Sequence, residues 1–403
     1  MTDVDPPSLQ APFPGLRVLD LSLNLAGPYC GQVLADLGAE VVKVERPGEG
    51  DPSRAWAPPA WEREGALFLA VNRGKRSLAL ELGTVEGKAV LDALIQRADV
   101  LIQSFRPEVA ERFGLTEEAL RPQETGLILC TITAFGHEGE NRDRPGYDPL
   151  LQAHAGLMSV TGPEGGPPVR VGTSMVDLGA GMWAAMGILS ALRVRDATGR
   201  GAHVRTALVD AALAWGAYHV MGALATGHAP RPMGTGLGMI SPYGAFPASD
   251  GELMIAAGND ELFGRLCAAL EAPTLSSDPR FATNPERVRH RAILEPLVAD
   301  LTRRHTRQEL EVRLRAGGVP CAAVRDMLEV AEDPELRKGP LRVEPHPRIP
   351  GYRAVALPVT WDGERVPPHR PPPGVGEHTD AVLHEAGYDA AEVEELRRRG
   401  IVG

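Results

Sequence analysis

The chain has 403 residues, 43% of them hydrophobic, and a formal net charge of −11. That length allows two or three domains, and that apolar content supplies a sizeable core, which excludes an intrinsically disordered chain. The acidic balance argues against nucleic acid as a partner, which needs a concentrated basic face, but leaves room for local Lys/Arg clusters that meet a small anion.

The amino-terminal stretch MTDVDPPSLQAPFPG is acidic and rich in proline. It has neither the basic start and apolar run of a secretory signal nor the Arg-rich face of a transit peptide. No apolar run reaches the roughly 20 residues of a membrane span. A soluble, cytoplasmic protein is expected. LRVLDLS (Leu16–Ser22) reads as a short apolar strand. AGPYCGQVLADLG follows with helical spacing, Val33, Leu34 and Leu37 sharing a face and Gly38 serving as the stop. AEVVKVE (Ala39–Glu45) is the next strand. TVEGKAVLDALIQRA (Thr84–Ala98) is amphipathic, with Thr84 as its N-cap. DVLIQSF and GLILCTITAFG are two further buried strands. This alternation predicts right-handed βαβ units around a largely parallel sheet, which receives ligands at the carboxyl ends of its strands.

GMWAAMGILSALRVR (Gly181–Arg195) is apolar nearly all round, as a buried helix is, and GRGAHVRTALVDAALAWGAYHV adds a short strand and another helix. From about Pro230 the texture changes. RPMGTGLGMISPYGAF is rich in glycine, DGELMIAAG is a strand, and a charged helical stretch runs from about Asp260 to Arg315. The segment from Pro340 to Pro373 is dense in proline and reads as extended chain wrapping over other structure. We expect a large domain over residues 1–229, a small one over 230–327, and a linker and carboxyl-terminal segment over 328–403.

Cys30, Cys130, Cys267 and Cys321 are dispersed, with no CxxC pair and no zinc-ligand spacing, so they read as buried reduced thiols and no metal site is expected. No GxGxxG follows the first strand, and no GxSxG, P-loop or HExxH occurs. GTGLGM (Gly234–Met239) does not sit between a strand and a helix, and reads either as a surface loop or as a lid over a substrate. Arg46 follows the second strand in KVERPGEGD, where a basic residue is well placed for a phosphate. Arg112, in SFRPEVAERFGL, raises the same possibility; each is otherwise a solvated arginine. Lys75 and Arg76, in NRGKRSL, add positive charge, and together these residues form a candidate polyphosphate cradle.

Asp177 is the one acidic residue in RVGTSMVDLGAGMW (Arg170–Trp183), just before the buried helix. As a helix N-cap it would accept exposed backbone amides and contribute about 1 kcal/mol. As a nucleophile it must be ionised, which a helix amino terminus favours, and the same amides would stabilise charge on an attacked carbonyl. The two readings are compatible. Gly179 and Gly181 would let a bulky ligand approach the backbone.

VLDLSLNLAGPYCGQVLADLGAEVVKVERPGEGD, NRGKRSLAL, DVLIQSFRPEVAERFGL, ATGRGAHV and GEHTDAVL, in this order, resemble the class III CoA-transferase family, also called the CaiB/BaiF family. The resemblance runs from about Leu16 to the carboxyl terminus. It implies an α/β fold: a large Rossmann-like domain with a parallel sheet, a smaller α+β domain, a carboxyl-terminal segment that returns to the large domain, and an interlocked homodimer. It implies an acyl-CoA:carboxylate CoA-transferase with no permanently bound cofactor, taking coenzyme A and acyl-CoA as substrates. Asp177 falls where the family carries its nucleophile. Arg46 and Arg112 fall where the family holds the CoA phosphates. Ser104, Phe105 and Tyr147 fall at its CoA contacts, and GTGLGM at its mobile glycine loop; Leu25, Ala26 and Lys75 complete the candidate CoA-binding residues. Glu377 and His378, in the tail signature, are assigned to structure.

Two departures bear on substrate. Formyl-CoA transferases carry Gln at the position of Leu25, so oxalate or formate is a poor fit. The family's racemases carry GHD where this chain reads GYD, with Tyr147 for the catalytic His, and a phenol of reference pKa near 10 is a poor base. The alternatives are a racemase or epimerase of the same family, or a catalytically silent CoA-binding protein. Leu25, Met239 and Tyr243 are candidates for the acyl pocket.

Overall fold

A computed structural model describes residues 11–366 and 370–403. The amino-terminal stretch read above for a signal lies largely outside the described residues. The described residues divide into two compact units: those within 1–155, 172–217 and 334–403 form the first, and those within 156–171 and 218–333 form the second. The first boundary thus falls at 217/218 rather than 229/230. The short excursion 156–171, which has no apolar periodicity to mark it, belongs with the second unit.

The first unit is built on six parallel strands: β1 (Arg17–Asp20), β2 (Glu40–Glu45), β3 (Lys75–Ala79), β4 (Val100–Gln103), β5 (Ile128–Thr133) and β6 (Ala202–Ala207), in the spatial order β3-β2-β1-β4-β5-β6. Register pairs Leu19 with Val42 on one side of β1 and with Leu101 on the other. The sheet grows outward in both directions from β1, so the switch point lies between β1 and β4. Strand β3 escapes the hydrophobic pattern because its first three residues are Lys75, Arg76 and Ser77. Lys75 and Ser77 are nevertheless fully buried, on charged and polar partners described below.

Helix α1 (Ala26–Asp36) ends as expected, Gly38 adopting φ +94° just beyond it. Helix α2 (Val85–Ile95) is capped by Thr84, whose Oγ1 accepts from the Gly87 amide at 3.0 Å. Helices α3 (Pro107–Phe113) and α4 (Asp148–His154) follow β4 and β5. Helix α5 (Met175–Thr198) precedes β6 and packs on α1, β5, β6 and α6 (Leu208–Trp215). Among the described residues α5 is the one helix long and apolar enough to cross a membrane by length and composition. Its mean hydropathy is 1.5, and half of that window is buried, the place of a core helix.

The carboxyl-terminal segment belongs to this unit. The Gly376 amide donates to Ser77 Oγ at 2.9 Å, the His378 amide to the Ser77 carbonyl at 3.0 Å, and the Ala79 amide to Thr379 Oγ1 at 3.1 Å. Helices Thr379–Ala386 and Ala390–Arg398 add Val382, Leu383, Val393 and Leu396 to the core formed by Leu19, Val42, Leu78, Leu91, Leu101 and Leu129. His378 and Glu377 serve this docking: His378 Nδ1 accepts from the Ser77 amide, and Glu377 Oε2 from Gly374. The proline-dense segment before it is not wholly extended. It holds a small hairpin, Leu341–Val343 with Arg353–Val355, beside which buried Tyr352 donates its hydroxyl to the Leu69 carbonyl. Residues 367–369 of that stretch lie outside the described residues.

The second unit centres on an antiparallel sheet, Cys321–Ala323, Gly251–Ala256 and Tyr243–Ala248 in that order. Phe246, Leu253, Ile255, Phe263, Leu294 and Leu310 make its core. Arg287 is fully buried there, donating to the carbonyls of Ser241 and Phe281 and to Asp260, with Phe263 beneath its guanidinium at 4.5 Å.

Candidate active site

Chain segments leaving β1 and β4 flank the switch point, where a sheet of this topology leaves a crevice for a ligand. The Leu23 amide donates to Ser104 Oγ at 3.1 Å, tying the segment after β1 to the one after β4. Leu25 and Ala26, both buried, open α1 on one side. On the other side the Phe105 amide donates to Gln103 Oε1 at 2.8 Å, and its ring meets Phe113 edge to face at 5.6 Å. Arg112 is exposed, its guanidinium 4.9 Å from the centre of the Phe113 ring, so it shares this corner with Phe105. Arg46 follows β2, with a side chain 66% exposed and a surface pairing to Glu49.

Lys75 is placed otherwise than expected. Its side chain is fully buried, and its ammonium donates to Asp20 Oδ2 at 2.8 Å, the Pro28 carbonyl at 2.7 Å and Asn72 Oδ1 at 2.8 Å. All three protons are used, so it offers nothing to a phosphate. Burial pulls the ammonium down to about 8 although Asp20 opposes this. Arg76 is held by Glu385. Neither belongs to the expected cradle.

Lys75 is instead one member of a buried charge network that sequence reasoning missed. Lys43, fully buried, pairs with Asp51 at 2.8 Å and donates to the Ser22 carbonyl at 2.9 Å. Asp51 Oδ1 accepts from the Asn24 amide at 3.3 Å and the Ser53 amide at 2.8 Å. Glu45 holds Arg54 through two hydrogen bonds of 2.7 Å and accepts from Ser77 Oγ at 2.7 Å. Burial works against the charged form of Asp20, Asp51 and Glu45, but the neighbouring cations prevail and all three lie below the usual carboxylate range. The network fixes the segments that carry Leu25 and Arg46. The signal for it was the alternation in EVVKVE, where lysine and glutamate interrupt an interior strand.

Asp177 is the third residue of α5, so the helix starts earlier than the apolar run suggests, and Ser174 holds the N-cap position without a side-chain cap. The N-cap reading of Asp177 is thus overturned. Two amides at the helix start donate instead to Asp148 Oδ2, Val176 at 2.8 Å and Asp177 at 3.3 Å. No described residue donates a hydrogen bond to the Asp177 carboxylate. Burial first, and the charge of Asp148 second, raise it from 3.8 to about 7, against the lowering expected of a helix amino terminus. Gly181, one turn on, packs where a Cβ would collide with the Ala26 carbonyl oxygen, which brings α5 against the start of α1. Tyr147 precedes Asp148; it is 53% exposed, and its ring lies edge-on to exposed Trp56 at 6.5 Å. Trp56 escaped the sequence reading because it lies in a proline-rich connection with no periodic context.

The structure therefore brings Leu25, Ala26, Ser104, Phe105 and Arg112 together at the switch point, with Asp177 one helical turn from Gly181. In the second unit the glycine loop is held by Arg291, whose Nη2 donates to the carbonyls of Leu237 and Ile240 at 2.7 Å each, and by Asn284, which donates to the Met239 carbonyl at 2.9 Å. A cavity of about 750 Å³ opens at the opposite, amino-terminal edge of the sheet, beside Arg17, Glu40 and Asp99. It is remote from the strand ends where this topology receives ligands.

A doubly wound parallel sheet whose first helix packs against the helix that carries Asp177 makes a candidate group-transfer enzyme, and the relatives of the chain agree. The model of CoA-transferase family III matches residues 13–379. The succinate–glutarate CoA-transferase of Agrobacterium fabrum is 37% identical, covering 96% of this chain and 98% of its own. The human succinyl-CoA:glutarate CoA-transferase is 33% identical, covering 97% and 90%. A solved CaiB/BaiF family protein from Brucella suis superposes with a TM-score of 0.84 at 36% identity, over 94% of this chain and 100% of that one. The chain belongs to CoA-transferase family III and is a CoA-transferase.

Proposed function

We propose that the enzyme moves coenzyme A from an acyl-CoA thioester to an acceptor carboxylic acid through covalent intermediates on Asp177. The observation that carries this reading is a carboxylate at the start of α5, beside the switch-point segments, to which no described residue donates a hydrogen bond. One Asp177 oxygen attacks the thioester carbonyl carbon. The C–S bond breaks, giving a mixed anhydride and CoA thiolate. The thiolate attacks the aspartyl carbonyl and expels the donor as its free carboxylate, leaving an aspartyl-CoA thioester. The acceptor carboxylate attacks that thioester and releases thiolate again. Attack of the thiolate on the acceptor acyl carbon forms the new acyl-CoA and returns Asp177. Dividing the exchange in this way replaces one difficult step by easier ones.

Arg46 and Arg112, both exposed, meet the CoA phosphates, while Ser104, Phe105, Leu25, Ala26 and Tyr147 contact the rest of the cofactor-like substrate. The named relatives make succinyl-CoA the first donor to test and glutarate the first acceptor. Exposed Met182, Trp183 and Met186 on α5, with Leu213 and Trp215 on α6, form an apolar face that a second copy covers in an interlocked homodimer. The enzyme acts in the cytoplasm.

The test pairs succinyl-CoA, then a panel of acyl-CoA donors, with mono- and dicarboxylic acids, and detects new acyl-CoA by mass spectrometry. Transfer by the unaltered chain and none by Asp177→Ala is expected. Full turnover by Asp177→Ala would overturn the reading.

A further inference from the structure

The first amides of an α-helix have no partner within the helix and must find one elsewhere. At α5 the partner comes from another helix. Asp148, the first residue of α4, is 1% exposed, and its Oδ2 accepts from the Val176 and Asp177 amides at 2.8 and 3.3 Å. Its Oδ1 accepts from Gln152 Nε2 at 2.6 Å, and Gln152 is itself fully buried. Nothing in the proposed chemistry uses Asp148, yet it occupies the donors that Asp177 would otherwise compete for.

We infer that Asp148 is a positioning residue for Asp177: it takes the amide donors at the start of α5 and sets a second negative charge against the nucleophile. This inference rests on the reading of Asp177 as nucleophile. The partial positive charge at the start of α5 faces the Asp148 carboxyl group, whose Oδ2 accepts from both amides. Among the described residues, none donates a hydrogen bond to the Asp177 carboxylate and no cation acts on it, and an anion so placed holds its electron pair less tightly.

Other titratable or charged groups on the elements around α5 are Tyr29, Cys30 and Asp36 on α1, His154 on α4, Cys130 on β5, His203 and Arg205 on β6, and Asp210 on α6; α5 itself carries Arg193, Arg195 and Asp196. Asp36 pairs with Arg73, His203 and Arg205 with Glu117, and Arg195 with Asp99. Of all these groups, Asp148 is the one whose charge acts on Asp177.

The test uses Asp177→Asn and Asp148→Asn, singly and together, in the full-length enzyme. Asp148→Asn keeps an oxygen for the two amides and removes the charge, and Gln152 can turn its amide to accept from the new NH₂. Melting temperature is followed from about pH 5 to about pH 9, where linkage reports Asp177 ionisation without any ligand. Asp177→Asn raises the melting temperature above neutral pH, and that gain shrinks in the Asp148→Asn background. With succinyl-CoA and glutarate as probes, the acidic limb of kcat/KM moves to lower pH in Asp148→Asn. Its kcat above the limb falls roughly threefold to tenfold, while KM for succinyl-CoA stays within about twofold. An equal gain in both backgrounds, with an unmoved limb, would overturn the inference and leave Asp148 a structural cap. Asp148→Ser, a second neutral acceptor, gives the same comparison should Asp148→Asn not fold. Failure of the nucleophile reading is separate: it is Asp177→Asn turning over like the unaltered enzyme.

Discussion

Replacing Lys75 by methionine decides whether this lysine serves the ligand or the fold. The substitution keeps the length and apolar stem of the side chain and removes the ammonium. Asp20, fully buried, then loses its 2.8 Å partner, and the Pro28 carbonyl and Asn72 Oδ1 lose their donor. Breaking a buried pair from one side costs about 3–5 kcal/mol, because the remaining charge stays uncompensated. Lys43, also close enough to act on Asp20, relieves part of that cost, so about 3 kcal/mol is expected. Equilibrium urea unfolding measures it, and calorimetry of CoA binding on the folded variant supplies the second readout. We predict a lowered midpoint and a CoA affinity within about threefold of the unaltered enzyme. Addition of Asp20→Asn should restore most of the loss, since the orphaned charge is then gone. A loss below about 1 kcal/mol, or a tenfold drop in CoA affinity without a change in stability, would refute the reasoning and return Lys75 to the phosphates.

Asp177→Asn should stabilise the protein in a pH-dependent way. A carboxyl raised from 3.8 to about 7 binds its proton more tightly folded than unfolded, so stability falls as pH climbs between those values. Removing the group gives no gain below about pH 4 and, with solvent screening, about 2 kcal/mol above about pH 7, against an upper bound of about 4. Thermal melts at the two extremes check this, and a gain at low pH alone would contradict it. Arg46→Ala and Arg112→Ala should each weaken CoA binding about tenfold and flatten its salt dependence, measured by calorimetry at two ionic strengths, with folding unchanged. Gly181→Val should abolish activity and lower the melting temperature, because its side chain meets the Ala26 carbonyl at the start of α1. Normal circular dichroism and turnover in that variant would show that the two helices separate freely.

Strand and helix alternation from Leu16 to Thr133 was legible because interior parallel strands are short apolar runs and the helices between them carry caps such as Thr84. Strand β3 was not, because Lys75 and Ser77 are buried by charge pairing and hydrogen bonding rather than by apolarity. The same cause hid the Lys43–Asp51 and Glu45–Arg54 pairs. Local spacing gives a residue's face but not its partner across tens or hundreds of residues. The start of α5 shows that limit most clearly. Asp177 looked like a cap because a carboxylate near a helix start usually is one, and nothing in local sequence marked Asp148, nearly thirty residues earlier, as the group that takes that place. For Arg46 and Arg112 the sequence left a phosphate contact and a solvated side chain both open, and in the structure both side chains are exposed.

A covalent bond between Asp177 and the substrate can be read by peptide mass spectrometry. The enzyme is incubated with succinyl-CoA, hydroxylamine is added, and the protein is digested. A hydroxamate is expected on the peptide bearing Asp177, and none without acyl-CoA. An Asp177 peptide that stays unmodified while CoA transfer proceeds at its full rate would contradict it.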